Sequence, residues 1–130
     1  MLLVKTFLAK SSIEGVGLFL AEPVKKGDFT WKFVEGFDQT IGEEELENLS
    51  QNSKDYIQKY GYLSKRSGLY VLCFDDSRFM NHSEDPTTEG YYHYSLPFEG
   101  VDRATRDLEV GEELTCDYRT FENRKLDWLR

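Results

Sequence analysis

Arg78-Phe79-Met80-Asn81-His82-Ser83, read together with Gly111-Glu112-Glu113-Leu114-Thr115-Cys116-Asp117-Tyr118, decides how this chain is understood. In the first stretch two apolar residues give way to three small polar ones able to bond a ligand, the pattern expected where a buried strand ends at a pocket. In the second, a glycine turn and an acidic pair lead into a short strand, Leu114-Thr115-Cys116, that stops at Asp117-Tyr118. Each stretch alone also reads more plainly, as a strand end with a turn and as a solvated loop before an edge strand. The rest of the chain has to decide between these readings.

A length of 130 residues suits one domain spanning 1–130, with room for a real core but not for a second unit. Aromatic residues make up 15% and charged residues 31%, which favours a folded globular chain over a disordered one. The formal net charge of −8 argues against nucleic acid as a partner, since the phosphate backbone would be repelled, and suits a basic peptide or protein. A merely soluble acidic surface gives the same balance. Cys73 and Cys116 are too few for a disulfide scaffold, and the first residues are too short and interrupted for a signal-peptide core, so an intracellular protein, cytoplasmic or nuclear, is expected, with no membrane span.

Outward from the two stretches, strands are expected at Leu2–Phe7, Leu18–Leu20, Phe29–Val34, Leu69–Phe74 and Ala104–Leu108, with Tyr91–Leu96 extended and Glu84–Gly90 a polar loop. From Glu43 the period changes. Leu46, Leu49, Tyr56, Ile57 and Tyr60 fall at helical spacings, an acidic first turn precedes them, Ser50–Ser53 divides the segment into two helices and Gly61 stops it. The architecture is therefore mainly β, with one helical insertion. Gly15-Val16-Gly17 is no dinucleotide fingerprint, because Leu20 stands where the third glycine should be and no helical pattern follows.

Conventional catalytic sets are weak. His82 and His93 lack paired ligand spacing, so no metal is expected. Cys116, His82 and Asp117 could supply a thiol nucleophile, base and orienter only if the fold joined them, and an inert buried cysteine is the usual case.

Taken in order, Glu14-Gly15-Val16-Gly17-Leu18-Phe19, then the Asn81-His82-Ser83 stretch, then Ala104-Thr105-Arg106-Asp107-Leu108 through Gly111-Glu112-Glu113-Leu114-Thr115 to Asp117-Tyr118, the sequence resembles the signature of SET-domain protein-lysine methyltransferases. The resemblance runs from the first strand to Tyr118. It implies a β-clip-like fold of several small sheets with a short helical insert and a C-terminal pseudoknot, a core over about 2–118 and a short tail over 119–130. It further implies S-adenosylmethionine as cofactor, held by the backbone at Gly15, Val16 and Gly17 and by Asn81 and His82, with Tyr118 as the catalytic tyrosine beside a lysine channel. Phe79 and Met80 would pack beneath the site, while Arg78 is open between a structural ion pair and a site role.

The sequence departs from the family pattern in places. Glu84 stands where a cysteine is frequent, Thr87 follows Pro86 where an asparagine is usual, and no cysteine-rich zinc segment follows Tyr118. Two readings of the tail stay open: Phe121 or Trp128 folds over the adenine and closes the channel, or the tail is flexible. Cys116 takes a position where the family commonly carries an aromatic residue, so the resemblance implies room for di- or trimethyl products, unless a neighbouring aromatic fills the gap and leaves Cys116 an inert core thiol. The channel wall is open among Trp31, Tyr62, Tyr70, Tyr91, Tyr92 and Tyr94, any of which could equally be core. The implied activity is methyl transfer to a lysine of a basic protein or peptide, with a non-catalytic peptide-binding module of the same fold as the alternative.

The chemistry suits such a site. A lysine with an ordinary pKa near ~10.4 is neutral in about one molecule in several thousand at pH 7. Methyl transfer therefore needs alignment and a means of presenting the amine unprotonated, which a dry channel beside a sulfonium favours.

Overall fold

The computed structural model describes residues 1–127. Ten strands and two helices follow one another as β1 (Thr6–Lys10), β2 (Val16–Leu20), β3 (Phe29–Lys32), β4 (Gln39–Ile41), α1 (Glu43–Glu47), α2 (Gln51–Tyr60), β5 (Tyr62–Leu63), β6 (Tyr70–Leu72), β7 (Asn81–His82), β8 (Thr88–Tyr91), β9 (Val101–Ala104) and β10 (Glu113–Cys116). Short 3-10 turns at Asp76–Phe79 and Tyr118–Thr120 precede β7 and follow β10. The strands form three small sheets, ordered β1-β2-β10-β7, β3-β9-β8 and β4-β6-β5. This is the mainly β, multi-sheet arrangement expected.

The first sheet positions the site. β1 and β2 form an antiparallel hairpin with Thr6 opposite Leu20 and Lys10 opposite Val16. β10 lies antiparallel to β2 on one side and parallel to β7 on the other, with Thr115 opposite Asn81 and Cys116 opposite His82. Leu18, Leu20 and Leu114 are fully buried and pack with Val24, Met80, Ala104 and Leu108 into the main core. A second apolar cluster of Leu46, Ile57 and Tyr70 fixes the helical insertion onto β6. The Ser50 hydroxyl caps α2 by accepting from Ser53 N–H, and Gly61 closes the helix on the Ile57 carbonyl.

Four expected elements fall elsewhere. The first strand is Thr6–Lys10 rather than Leu2–Phe7: Ser11 N–H closes the hairpin on Gly15 O, while Leu2 makes only an isolated bridge to Trp31. The strand expected at Ala104–Leu108 is Val101–Ala104, because buried Val101 and Ala104 frame two polar residues and so hide the alternation. Thr88–Gly90, expected as loop, belongs to β8, and the chain turns from Tyr92 onward instead of staying extended, because the ladder to β9 ends where Tyr91 pairs Val101.

Residues 119–127 are tied down rather than free. Ser64 bridges Glu122, Asn123 N–H donates to Leu63 O at 2.8 Å, and Arg124 donates to the carbonyls of Gln58 and Gly61 at 2.8 and 3.1 Å. β10 thus lies between β2 and β7, and the segment after it returns to the end of α2. Because Leu114 is the fully buried centre of β10, Leu114→Ala should destabilise the protein by about 2 to 5 kcal/mol, read from the midpoint of urea unfolding.

Candidate active site

The turn between β1 and β2 is built to be held from outside. Gly15 takes the left-handed conformation at φ 47°. The Asn81 amide, presented by β7, donates to the carbonyls of Glu14 at 3.1 Å and Val16 at 3.3 Å and to the Glu113 carboxylate at 3.1 Å. Ser11 Oγ–H donates to the same carboxylate at 2.8 Å. A Cβ at Gly17 would lie 2.6 Å from Glu113 Oε2, so any larger residue there would push the Glu113 carboxylate out of its place in this network.

Above this network lies a cleft of about 600 Å³ lined by Glu14, Gly15, Val16, Asn81, Phe79 and Tyr118, among others. A second, narrower cavity of about 130 Å³ lies beside it, and Tyr60, Arg78, Met80 and Tyr118 line both. Tyr118 therefore stands where the two spaces meet. Its hydroxyl donates to Met80 O at 2.6 Å, so other contacts of that oxygen are made as an acceptor. Burial pushes the phenol well above its ordinary pKa, keeping it protonated. Its backbone is fixed as well, since Tyr118 N–H donates to His82 Nδ1 at 3.0 Å.

The SET domain family profile matches residues 15–119, a span that holds both the turn and Tyr118. The chain belongs to the SET-domain family. It is 31% identical over 121 residues to the histone-lysine N-methyltransferase mes-2 of Caenorhabditis elegans, covering 88% of this chain and 15% of that protein. Apo Polycomb Repressive Complex 2 of Chaetomium thermophilum superposes with a TM-score of 0.67 at 27% identity, over 92% of this chain and 16% of that one. The same complex in an autoinhibited, S-adenosylmethionine-bound form gives 0.68 at 24%, over 93% and 16%. The SET domain seen here thus spans under a fifth of the length of these relatives.

Within this SET domain the expected site residues divide by location. Gly15, Val16, Asn81 and Tyr118 line the cleft. Gly17 and His82 are not among its lining residues, the first lying against Glu113 and the second holding Tyr118. Phe121 lines the second cavity, its ring 4.8 Å from that of Tyr62 and 5.9 Å from that of Tyr118. Trp128 lies outside the described residues. Met80 is buried in the core as expected, whereas half-buried Phe79 packs on Tyr60 and also faces the cleft. Arg78 lines both cavities and also donates to the carbonyls of Cys73 and Phe74 and to the Tyr56 hydroxyl, with no ion pair among the described residues.

Of the aromatic candidates for the channel wall, Trp31, Tyr62 and Tyr92 line the second cavity with Cys116. Tyr70 belongs to the helical cluster, Tyr91 packs on Phe29, and Tyr94 is 95% exposed. Thiol chemistry is disfavoured. Burial raises the Cys116 thiol well above its ordinary pKa, Cys73 is pushed up to about 12, and His82 Nδ1 already accepts from Tyr118 N–H.

The departures from the family pattern have local partners. Thr87 N–H donates to Thr115 Oγ1 and Thr87 Oγ1–H to Glu113 O, tying the loop before β8 to β10. Glu84 pairs with Arg119 at 3.3 Å.

Sequence reasoning missed Asp102 and Glu99, which line the second cavity. The available signal was a carboxylate between the apolar Val101 and Ala104. Burial pushes the Asp102 carboxyl up to about 7. A carboxyl raised in the folded state is still protonated there while the unfolded chain ionises, so this group's contribution to stability falls as pH rises from about 4 to about 7. Asp102→Asn should remove that slope, with a gain in melting temperature larger at pH 8 than at pH 4.5, measured by thermal unfolding at both.

Proposed function

We propose that this SET domain is an S-adenosylmethionine-dependent protein-lysine methyltransferase acting on a basic protein segment. The observation that carries the reading is the meeting of a wide cleft and a narrow cavity at Tyr118. The donor set suits the cofactor. Glu14 offers negative charge near the cleft for an ammonium and a sulfonium, and Lys59 and Lys125 offer positive charge for a carboxylate. Gly15 and Val16 would hold the methionine end, with Asn81 fixing the turn that carries them. When bound, the cofactor supplies an electrophilic methyl group.

The chain's own residues do the rest. The narrow cavity aligns the lysine side chain and excludes water. Tyr118 Oη, fixed by its bond to Met80 O, receives an amine N–H and orients the lone pair. Cys116, smaller than an aromatic residue, leaves room for a methylated amine to turn and react again, which favours di- or trimethyl products. The net charge of −8 suits a Lys/Arg-rich partner, and histones are the first class to try given the relative's name. We read the chain over 1–130 as one SET domain with 119–130 as its C-terminal extension.

Calorimetry with S-adenosylmethionine separates this reading from a non-catalytic peptide-binding module, which would bind peptide without cofactor affinity. Asn81→Ala removes three donor contacts from the turn and from Glu113, and should weaken cofactor binding by about 1 to 3 kcal/mol in a protein that stays folded. Tyr118→Phe keeps the ring packing but loses the hydroxyl. Turnover of labelled lysine protein should fall on the order of a hundredfold, with cofactor affinity unchanged. Near wild-type turnover in that variant would move the role to another residue.

A further inference from the structure

The wall of the narrow cavity carries polar groups that neither the fold nor the roles above use. Asp102 is at the middle of β9, in a row across the sheet with Gly90 of β8 on one side and Trp31 of β3 on the other. Gly90 matters here because it leaves space: a Cβ would meet the Tyr92 hydroxyl at 3.0 Å. Glu99, 9% exposed, accepts from Ser64 Oγ–H at 2.8 Å through one oxygen, while its other oxygen is buried without a partner among the described residues. The indole N–H of Trp31, 5% exposed, is likewise buried and unpartnered among the described residues. Neither Asp102 nor Glu99 makes a salt bridge among the described residues.

A half-buried carboxylate in an aromatic-walled cavity with no salt bridge among the described residues is under-compensated, and a cation with N–H donors entering the cavity relieves that. An alkylammonium meets both needs, with a chain for the aromatic wall and a charged donor for the acid.

We propose that Asp102 receives the substrate's lysine ammonium in this cavity and takes its proton before methyl transfer. The inference rests on the methyltransferase reading for its second half, whereas capture of the ammonium does not depend on it. In the transfer one N–H bond breaks and one O–H bond forms, so ammonium and carboxylate become a neutral amine and a neutral carboxylic acid. The amine keeps its lone pair for the methyl group, and the acid returns the proton to water once the product has left.

The surroundings favour the neutral pair. In water a carboxylate is a poor acceptor for a lysine proton, but burial has moved this carboxyl up to about 7 and disfavours the ammonium as well. Tyr62, after α2, and Tyr92, after β8, are both raised above their ordinary values, by burial first and with a contribution from the Asp102 charge. They remain neutral donors. Cys116 of β10 and Cys73 after β6 are held as thiols, Glu99 adds a further acid, and the N-terminal ammonium opposes the effect of burial by favouring the ionised Asp102. Lys59, Arg78 and Arg124 line the same cavity, and Arg66 lies over the outer face of Tyr92.

The test uses the full chain with n-butylammonium, which carries the end of a lysine side chain, and 1-butanol as its uncharged counterpart. Wild type should bind butylammonium at least tenfold more tightly by NMR titration. Asp102→Asn should erase the preference while S-adenosylmethionine binding is retained. With a lysine substrate, wild-type kcat/KM should rise as pH passes through about 7, where Asp102 ionises. That limb should be absent in Asp102→Asn, whose deficit should shrink toward pH ~10, where solvent deprotonates lysine.

An unchanged butylammonium preference in the variant, or an unchanged pH profile, overturns the proposal. Normal turnover with both unchanged leaves the methyltransferase reading standing and removes only this one. Asp102-dependent capture without turnover on any lysine protein retains the cation subsite and overturns the proton transfer together with the methyltransferase reading. Should Asp102→Asn fail to fold, the carbon-13 signal of the wild-type carboxyl must move on adding butylammonium, and a static signal overturns the proposal.

Discussion

The Glu113 carboxylate is the point on which the site depends. It accepts from Ser11 beyond β1 and from Asn81 of β7, and it occupies the space that Gly17 leaves open. Hairpin, central strand and parallel neighbour are thereby locked at one charged group. Hydrogen bonds to an ionised acceptor are stronger than neutral ones, and losing one partner leaves the others under-satisfied. The turn that lines the cleft gets its shape from this junction, and Tyr118, a little further along the chain, gets its position from the same strand.

Much of this junction could be read from the sequence because its parts are local motifs. Gly15-Val16-Gly17, Asn81-His82 and Glu113 to Tyr118 each announce a turn or a strand end, and their order identified the family. The helical insertion was equally legible, since Ser50 and Gly61 mark its interior start and its stop by backbone chemistry alone. β9 was not. Its centre is Asp102-Arg103, so no alternation betrays a strand that is held by neighbours on both sides. Misplacing β9 by a few residues hid Asp102, and with it the polar wall of the narrow cavity. Phe121 and Arg124 were ambiguous for a related reason: their positions follow from tertiary contacts to Tyr62, Gln58 and Gly61, which no local pattern encodes.

The two cavities differ in how they treat charge. The cleft is bordered by groups of both signs beside a turn whose carbonyls are already bonded, which suits a zwitterionic guest bearing an extra positive charge. The narrow cavity is walled by aromatic rings and thiols held protonated, by Asp102 and Glu99, which make no salt bridge among the described residues, and by the Arg124–Glu122 ion pair with Lys59 and Arg78. A methyl group moving from one space to the other would pass from the wide cleft into the narrower, aromatic-walled cavity at Tyr118. On the proposed reading, that separation would let one small domain hold a cation on one side and a neutral amine on the other.

The placement of β10 also constrains how the chain can assemble. Among the described residues it is the last strand in sequence, yet an interior strand of its sheet, with β2 on one edge and β7 on the other. Until residues 113–116 arrive, both neighbours expose unpaired backbone edges and the core lacks Leu114. During synthesis the segments that precede it can form hairpins and the helical cluster, but not this sheet. Closure is a late, long-range event, of the kind that slows folding and leaves strand edges open to intermolecular pairing.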